Sequence, residues 1–324
     1  MKLIRTEDAV GQVLCHDVTQ ILPGEFKGPR FRKGHIIQPE DIPVLLSIGK
    51  ENLYVWEKTP GILHEDEAAA LLYKAAAGKN IHGTEAKEGK IELVADCDGL
   101  LKINRAALLA VNRTPQMMIA TVHGDLPVKK GAKIAGTRII PLVIEQEKMD
   151  AMQQAAGPEP ILNILPFHPK TFAVITTGSE VFKGRIEDKF TPVLEQKLAE
   201  YGCKMTFHRV CDDDPAGITA AIREAKAQGC ELIFTTGGMS VDPDDRTPLA
   251  IKNTGADIVS YLDGVPVCGL PGCVMYAKRT IFDLLLPRLL AEDPITADDI
   301  ARLGEGGLCL GCGTCTWPNC GFGH

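Results

Sequence analysis

With 324 residues, 45% of them hydrophobic and 24% charged, the chain has the composition of an ordinary soluble protein with room for several hydrophobic cores. A formal net charge of −7 without any sustained Lys/Arg tract excludes a general nucleic-acid binder, because phosphate backbones demand a basic surface. The opening MKLIRTEDAVGQ turns polar too soon for a secretory signal, and 18 apolar residues never run together, so no membrane association is expected and the protein is expected to be cytoplasmic.

Residues 1–78 read as a small N-terminal α/β accessory lobe. Short apolar runs (QVLCHDVTQIL, NLYVW) surround KGHIIQPEDIPVLLSIGK, where Pro39, Glu40 and Asp41 suit a helix N-terminus and Gly49 its end. From Glu65 to Gly78, EDEAAALLYKAAAG is a helix by its Ala and Leu content, stopped by Gly78. Residues 79–157 read as a β-rich domain: after the polar loop NIHGTEAKEGK come KIELVADCDGLLKI, MMIATVHGDLPV and AKIAGTRIIPLVI, β-branched runs punctuated by Asp-Gly, Gly-Asp and Gly-Thr pairs. Four prolines between residues 158 and 169 mark the next boundary.

From Thr171 the pattern alternates. TFAVITTG, KMTFHRV, ELIFTTGG, DIVSYL and PVCGLPG are strand-like, and DKFTPVLEQKLAEYG, DPAGITAAIREAKAQG, TPLAIKNTG and CVMYAKRTIFDLLLPRLLAE have helical spacing of apolar positions. Repeated strand–helix units predict a mostly parallel sheet covered on both faces, a three-layer α/β domain over residues 158–295. In such sheets ligands sit beyond the carboxyl ends of the strands, where the connecting loops lie.

Two of those loops are alike. FTTGGMSVDPDDRTP (Phe234 to Pro248) and, 59 residues earlier, VITTGSEVFKGRIEDKFTP share Thr-Thr-Gly and an aspartate ahead of a Thr-Pro pair. Gly178, Gly237, Gly238 and Gly272 allow close backbone approach to a ligand, and the amides at the following helix N-termini favour anionic groups such as phosphate. Dinucleotide and P-loop sites lack support, since neither G-x-G-x-x-G nor G-x-x-x-x-G-K-[ST] occurs at these strands. Thr247 with Pro248 reads as a helix cap and first turn, which leaves Asp242 and Asp244 unexplained in a loop, Gly237 to Arg246, longer than a usual strand-to-helix connection. CDDDP (Cys211 to Pro215) adds three carboxylates after another strand, and Asp188 lies in the first loop. Beside a phosphate, such carboxylates call for a hard cation such as Mg2+; for each one, helix capping is the alternative.

VITTGSEVFKGRIEDKF, DDDPAGI, IFTTGGMSVDPDDRTP and VCGLPGCVMYAKRTIFDLLLP resemble, in order and spacing, the molybdopterin-binding domain shared by molybdopterin adenylyltransferases and molybdenum insertases, over about residues 171 to 292. Upstream, DAVGQVLCHDVT and FRKGHIIQPEDIPVLLSIGKENLYVW look like the accessory region of the insertase branch. The resemblance implies a pterin–phosphate ligand (molybdopterin or its adenylylated form), Mg2+, molybdate as second substrate, and a homodimer. It implies catalytic roles for Asp245, Asp188 and Asp213, the register of the last being open by one residue within Asp212 to Asp214. It implies ligand contacts from Thr177, Gly178, Ser179 and Glu180, from Asp214, from Thr236, Gly237, Gly238, Ser240 and Asp242, and from Pro271 and Gly272. The chain departs from the insertase pattern at Asp188-Lys189-Phe190, where D-S-N is usual, and at LPGCV, where L-P-G-N-P is usual.

Residues 296–324 read as a cysteine-rich metal-binding tail. Of the 11 cysteines, Cys15, Cys97, Cys203, Cys211, Cys230, Cys268 and Cys273 are scattered and read as small buried hydrophobes. Cys309, Cys312, Cys315 and Cys320 instead fall in LCLGCGTCTWPNCGFGH, a C-x2-C-x2-C-x4-C spacing with glycines that permit tight turns. Thiolates so spaced can converge on an iron–sulfur cluster or on Zn2+; a reduced tail without metal is the alternative, and disulfides are not expected in a reducing compartment.

Three functions are consistent with these features. The first is molybdenum cofactor biosynthesis, with molybdenum inserted from molybdate into adenylylated molybdopterin. The second is a non-catalytic carrier or sensor of molybdopterin or the finished cofactor. The third is a nucleotide-processing hydrolase on the same scaffold.

Overall fold

In the computed structural model, which describes residues 2–22, 26–55, 60–239, 245–255 and 259–323, the alternation after Thr171 becomes a five-stranded sheet. Its order is Lys204–Cys211, Thr171–Thr177, Leu232–Thr236, Val265–Leu270 and Val259–Leu262; the first four run parallel and the last is an antiparallel edge. The edge pair turns at Asp263 (φ 45°) and Gly264 (φ 86°), the Asp-Gly signature of a two-residue hairpin whose central residues are both left-handed.

Successive side chains of the central strands point to opposite faces, and each face buries its own helices. Phe172 and Val174 pack with Leu194 and Leu198 of the helix Phe190–Ala199 and with Leu286 and Leu290 of the helix Ile281–Leu290. Ala173 and Ile175 pack with Ile218 and Ile222 of the helix Pro215–Ala227 and with Ala250 and Ile251 of the helix Thr247–Asn253. This is the three-layer α/β arrangement expected from the sequence. Phe234 meets Phe172 and Phe282 edge-on, with ring centroids 6.0 and 5.5 Å apart.

CVMYAKRTIFDLLLPRLLAE, expected as one helix, is two: Cys273–Tyr276 and Ile281–Leu290. A buried carboxylate sets the break. Asp283 accepts the Thr280 backbone N–H at 2.7 Å, starting the second helix there, and also takes Lys197 Nζ at 2.7 and 2.9 Å and Arg279 Nη1 at 2.9 Å.

The chain divides into two compact units. One comprises residues 1–96, 103–122 and 131–163; the other comprises 97–102, 123–130 and 164–324. The sequence-derived division at 78/79 thus falls inside the first unit, and two short segments of the expected β-rich domain belong to the second. In the first unit Leu14, Val18, Ile37, Leu45, Leu53 and Val55 form a small core under the helix Asp41–Ser47, which Gly49 ends at φ 76°. An antiparallel sheet runs in the order Ile81–Gly83, Lys90–Ala95, Lys133–Ile139, Met117–Thr121. Two helices interrupt the region read as β-rich, Arg105–Asn112 and Gln146–Ala156; the first carries a sequence signal, since Asn104 Oδ1 accepts the Ala107 N–H at 3.1 Å as an N-cap. The helix Glu65–Ala76 ends before Gly78, which does not terminate it; Gly78 instead donates its N–H to Leu162 O at 2.9 Å. No helix among the described residues is long and apolar enough to cross a membrane.

Candidate functional site

The parallel strands deliver Thr177, Cys211, Thr236 and Leu270 to one edge of the sheet, and the loops that follow are fastened to one another there. After Thr177, Gly178 (φ 134°) leads into the short helix Ser179–Phe182, and the Ser179 N–H donates to Asp213 Oδ2 at 2.8 Å. The Glu180 carboxylate folds back over Gly178, 2.9 Å from where a β-carbon there would stand. In the second loop each aspartate has a backbone partner. Asp212 Oδ1 accepts the Asp213 N–H at 3.0 Å, and Asp214 caps the helix Pro215–Ala227 through Ala216 N (3.3 Å) and Gly217 N (2.9 Å).

The paired glycines of the third loop have a local cause. Gly237 (φ 84°) lies so close to Thr177 that a β-carbon would overlap the Thr177 carbonyl, and at Gly238 (φ 55°) it would stand 2.7 Å from Thr247 Oγ1. Thr177 Oγ1 donates to Thr236 O at 3.1 Å and shares a hydrogen bond with Thr247 Oγ1 at 2.8 Å. Thr247 therefore does not cap its helix, as expected from the sequence, because its hydroxyl is committed to Thr177; Arg246 occupies the cap position without a side-chain bond. Thr236 is fully buried. Asp245 is half-buried and engaged with its surroundings, whereas Ser240, Asp242 and Asp244 lie outside the described residues. Pro271 and Gly272 follow the fourth parallel strand and open the short helix Cys273–Tyr276.

Asp188 belongs to a different cluster. Its Oδ1 accepts the Phe190 and Thr191 amides at 2.9 and 3.1 Å, and its Oδ2 accepts the hydroxyls of Thr176 (2.8 Å) and Thr191 (2.6 Å), with His208 Nε2 at 3.3 Å. Burial pushes this carboxyl up, but the hydrogen bonds from Thr191, Thr176 and the amides outweigh it and hold the pKa below the usual range, so Asp188 is ionised. Thr176 and Thr177 are successive strand residues and point to opposite faces, so the Asp188–Thr176–Thr191–His208 cluster and the Thr177–Thr247 bond occupy opposite faces of the sheet. His208 is absent from the residues singled out from the sequence, and Thr176 and Thr191 enter there only as parts of the shared Thr-Thr-Gly and Thr-Pro patterns, without an assigned role. The signals for the two threonines are the doubled Thr176-Thr177, whose members serve the two faces, and the Thr191-Pro192 pair after Asp188.

The tail folds back onto its own unit. Phe322 is buried with Leu126 and Leu284, and Cys309, Trp317 and Cys320 pack against the same small cluster. Lys278 Nζ donates to the carbonyls of Cys312 and Gly313 at 2.7 Å each, and Arg279 lies 4.5 Å over the Trp317 ring. Hydrogen bonds to the Cys315 sulfur, first from the Trp317 N–H and then from Arg279, lower that thiol's pKa against the opposing effect of burial. All 11 cysteines are free. Burial raises the thiols of Cys15, Cys203 and Cys211 and pushes Cys268 up to about 12, consistent with structural roles; Cys273, expected to be buried, is exposed because it starts the helix at the loop after Gly272.

Among the described residues, the one group of three His, Cys, Asp or Glu side chains with ligand atoms within 4.8 Å of one another is His64, Glu65 and Asp66, so the tail thiols do not stand at coordination spacing. That group already holds a cation. Lys33 Nζ lies 3.0 Å from His64 Nδ1 and bonds to Asp66, while His64 Nε2 meets Cys15 O at 2.8 Å.

Residues 173–287 match a family described as probable molybdopterin binding domain, and residues 3–57 match a domain of unknown function, DUF8806. A CinA-like protein of Mycobacterium sp. (strain JLS) is 39% identical over 74 residues, which is 23% of this chain and 18% of that protein. A CinA-like protein of Mycobacterium tuberculosis (strain ATCC 25618 / H37Rv) is 38% identical over 74 residues, 23% of this chain and 17% of that one. The chain thus spans less than a fifth of the length of these relatives. Among solved structures, the molybdopterin biosynthesis enzyme MoaB of Thermus thermophilus aligns at 20% identity and a TM-score of 0.33, over 39% of this chain and 99% of that one. The tungsten cofactor synthesizing protein MoaB of Pyrococcus furiosus aligns at 20% identity and a TM-score of 0.29, over 43% and 97%.

Proposed function

We propose, from the premise that residues 173–287 form a domain of the molybdopterin-binding family, that this chain is an enzyme of molybdenum cofactor biosynthesis. It takes adenylylated molybdopterin and molybdate, inserts molybdenum, and works as a cytoplasmic homodimer. The observation that carries this reading is the fastening of three loops at the carboxyl ends of adjacent parallel strands, through Ser179 with Asp213 and Thr177 with Thr247. A phosphate-bearing ligand suits such an edge, where glycine backbone and helix N-termini present N–H groups.

The carboxylates differ in their fitness for Mg2+. Asp188 has both oxygens occupied by four protein donors, and Asp214 has both engaged at a helix start. Asp213 uses Oδ2 for Ser179, and its Oδ1 has no hydrogen bond among the described residues. Asp213, through its open Oδ1, and Asp245, for which the family resemblance implies a catalytic role, are the residues proposed to hold Mg2+, which when bound offsets the charge of a phosphoanhydride. Thr177, Gly237 and Gly238 shape the floor against which the ligand's phosphate lies, and Asp188 keeps the first loop anchored to the helix Phe190–Ala199.

The saturation of Asp188 favours a second reading, in which the domain binds the pterin without turnover as a carrier or sensor. An assay with adenylylated molybdopterin, molybdate and Mg2+ separates the two. Release of AMP with formation of active cofactor supports the enzyme, and stoichiometric binding without AMP release supports the carrier. Under the enzymatic reading Asp245→Asn lowers turnover at least about tenfold while the melting temperature stays within about 2 °C, on the order expected for a charge acting on the transition state. Unchanged turnover removes Asp245 from the mechanism.

A further inference from the structure

The four tail cysteines lie on one closed loop. Cys309 and Cys320, the first and last of the set, both pack on the cluster of Leu126, Leu284 and Phe322, so the two ends of the segment are brought to one place. Cys312 and Cys315 lie on the exposed stretch between them. That stretch is gripped by cations: Lys278 holds the carbonyls of Cys312 and Gly313, and Arg279 lies over the ring of Trp317, two residues from Cys315. From Gly306 to Gly323 the sequence contains no Asp, Glu, Lys or Arg, so the thiols are the segment's only source of side-chain negative charge.

We propose that Cys309, Cys312, Cys315 and Cys320 form a thiolate metal site that takes zinc or an iron–sulfur cluster and locks the tail onto the C-terminal unit. The proposal is independent of the pterin reading. Four thiolates around Zn2+, or around a cluster, leave a net negative centre, which Lys278 and Arg279 offset from outside the ligand sphere, and N–H donors such as the Trp317 amide stabilise coordinated sulfur. Coordination needs the Leu310 to Thr316 stretch to draw its thiols together. What that movement must carry along or release is the hold of Lys278 on the carbonyls of Cys312 and Gly313 at 2.7 Å each; among the described residues the only backbone–backbone bond between Leu308 and Pro318 and their neighbours is Asn319 N to Thr316 O at 2.7 Å, and no β-carbon clash restrains Gly311 or Gly313. Each coordinating thiol gives its proton to solvent, so zinc uptake releases protons; a cluster is built instead from inorganic sulfide and iron supplied wholly or partly in the ferric state, which provides the oxidation level of its core.

The test uses the full chain, purified without oxygen, with zinc, iron and acid-labile sulfide measured directly. About one zinc, or one iron–sulfur cluster with acid-labile sulfide equimolar to its iron, is expected per chain. The elemental result also decides which metal chemistry the site takes. Cys312→Ser and Cys315→Ser are each expected to lower metal content at least about tenfold, whereas Cys273→Ser, exposed but outside the tail, retains it. Because a ligand variant could misfold, cobalt titration of metal-free wild-type protein provides a second readout. Intense thiolate-to-cobalt charge-transfer absorption, displaced by zinc, is expected. Metal content equal in wild type and both tail variants overturns the proposal. So does metal-free wild type that takes up neither zinc, cobalt nor a reconstituted cluster.

Discussion

The Ser179 N–H and Asp213 Oδ2, 2.8 Å apart, tie the loop after one parallel strand to the loop after its neighbour. A carboxylate doing only this is replaceable by an amide whose oxygen accepts the same bond. Asp213→Asn is therefore expected to leave stability within about 0.5 kcal/mol, whereas Asp213→Ala, which leaves the amide without its acceptor, costs about 1–2 kcal/mol. If Asp213 also holds Mg2+, the Asn variant keeps its fold and loses Mg2+-dependent turnover. Calorimetry and steady-state rates on both variants separate the bridge from the metal role.

Gly237→Ala tests the paired glycines. The added β-carbon would overlap the Thr177 carbonyl, and φ 84° is itself unfavourable for alanine. A loss of about 2–4 kcal/mol is expected in urea unfolding, with weakened pterin binding because the Thr177 loop must move. A change below about 0.5 kcal/mol would show that the loop yields freely.

Asp188→Ala removes the acceptor of two hydroxyls and two amides at the start of the helix Phe190–Ala199. A loss of about 2–3 kcal/mol is expected at pH 7. The folded pKa is lowered, so the charge contributes stability above the ordinary carboxyl value and loses it as pH falls through the folded value. The difference between wild type and variant should accordingly shrink only in acid, below about pH 4. A difference that is constant down to about pH 2 would assign the effect to packing.

Much of this is legible in the sequence, and what is not has physical reasons. The strand from Thr171 to Thr177 announces itself because a strand buried on both faces is a continuous apolar run, and its neighbours repeat the pattern. Of the doubled threonine only Thr177 is read from the sequence as a ligand contact; the period of two in a strand sends Thr176 and Thr177 to different faces, where one anchors Asp188 and the other Thr247. Thr247 reads as a cap because local sequence prefers that role, while its actual partner is 70 residues away. The same limit applies to Asp283, whose contacts with Lys197 and Arg279 split an apparently continuous helix. Residues 97–102 and 123–130 belong with the C-terminal unit through contacts at long sequence separation, which composition and periodicity do not encode.

The N-terminal unit carries a pH-dependent group. Burial, with Asp66 beside it, raises Glu65 to about 7, and nearby Lys33 only partly offsets the shift. Its folded pKa lies above the unfolded value, so the associated stability is full below about pH 4.5 and is lost as pH rises to about 7. Discounted for solvent screening at a half-exposed position, the effect is on the order of 1 kcal/mol. Glu65→Gln is expected to remove this slope and to be more stable than wild type above about pH 7. Parallel pH profiles of wild type and variant would disprove it.

Phe322 is 5% exposed against Leu126 and Leu284, at 5% and 4%, and the adjoining Gly323 N–H bonds to Gly306 O at 2.9 Å, so the tail is seated as part of the C-terminal unit. Phe322→Ala should cost about 2–4 kcal/mol, since it opens a cavity that two leucines cannot fill by themselves. Truncation after Leu303 removes Phe322 and Trp317 together and exposes Leu284, so its melting point should fall further than that of Phe322→Ala. The loops at Gly178, Asp213 and Gly237 lie upstream and are fastened by their own bonds, so pterin affinity below the lowered melting point should stay within about threefold of wild type. A melting point untouched by Phe322→Ala would mean that the tail does not rest on this cluster. Lost pterin binding in a folded truncated protein would make the tail part of the ligand site, through Lys278 and Arg279, which follow the Gly272 turn in the chain and contact the tail.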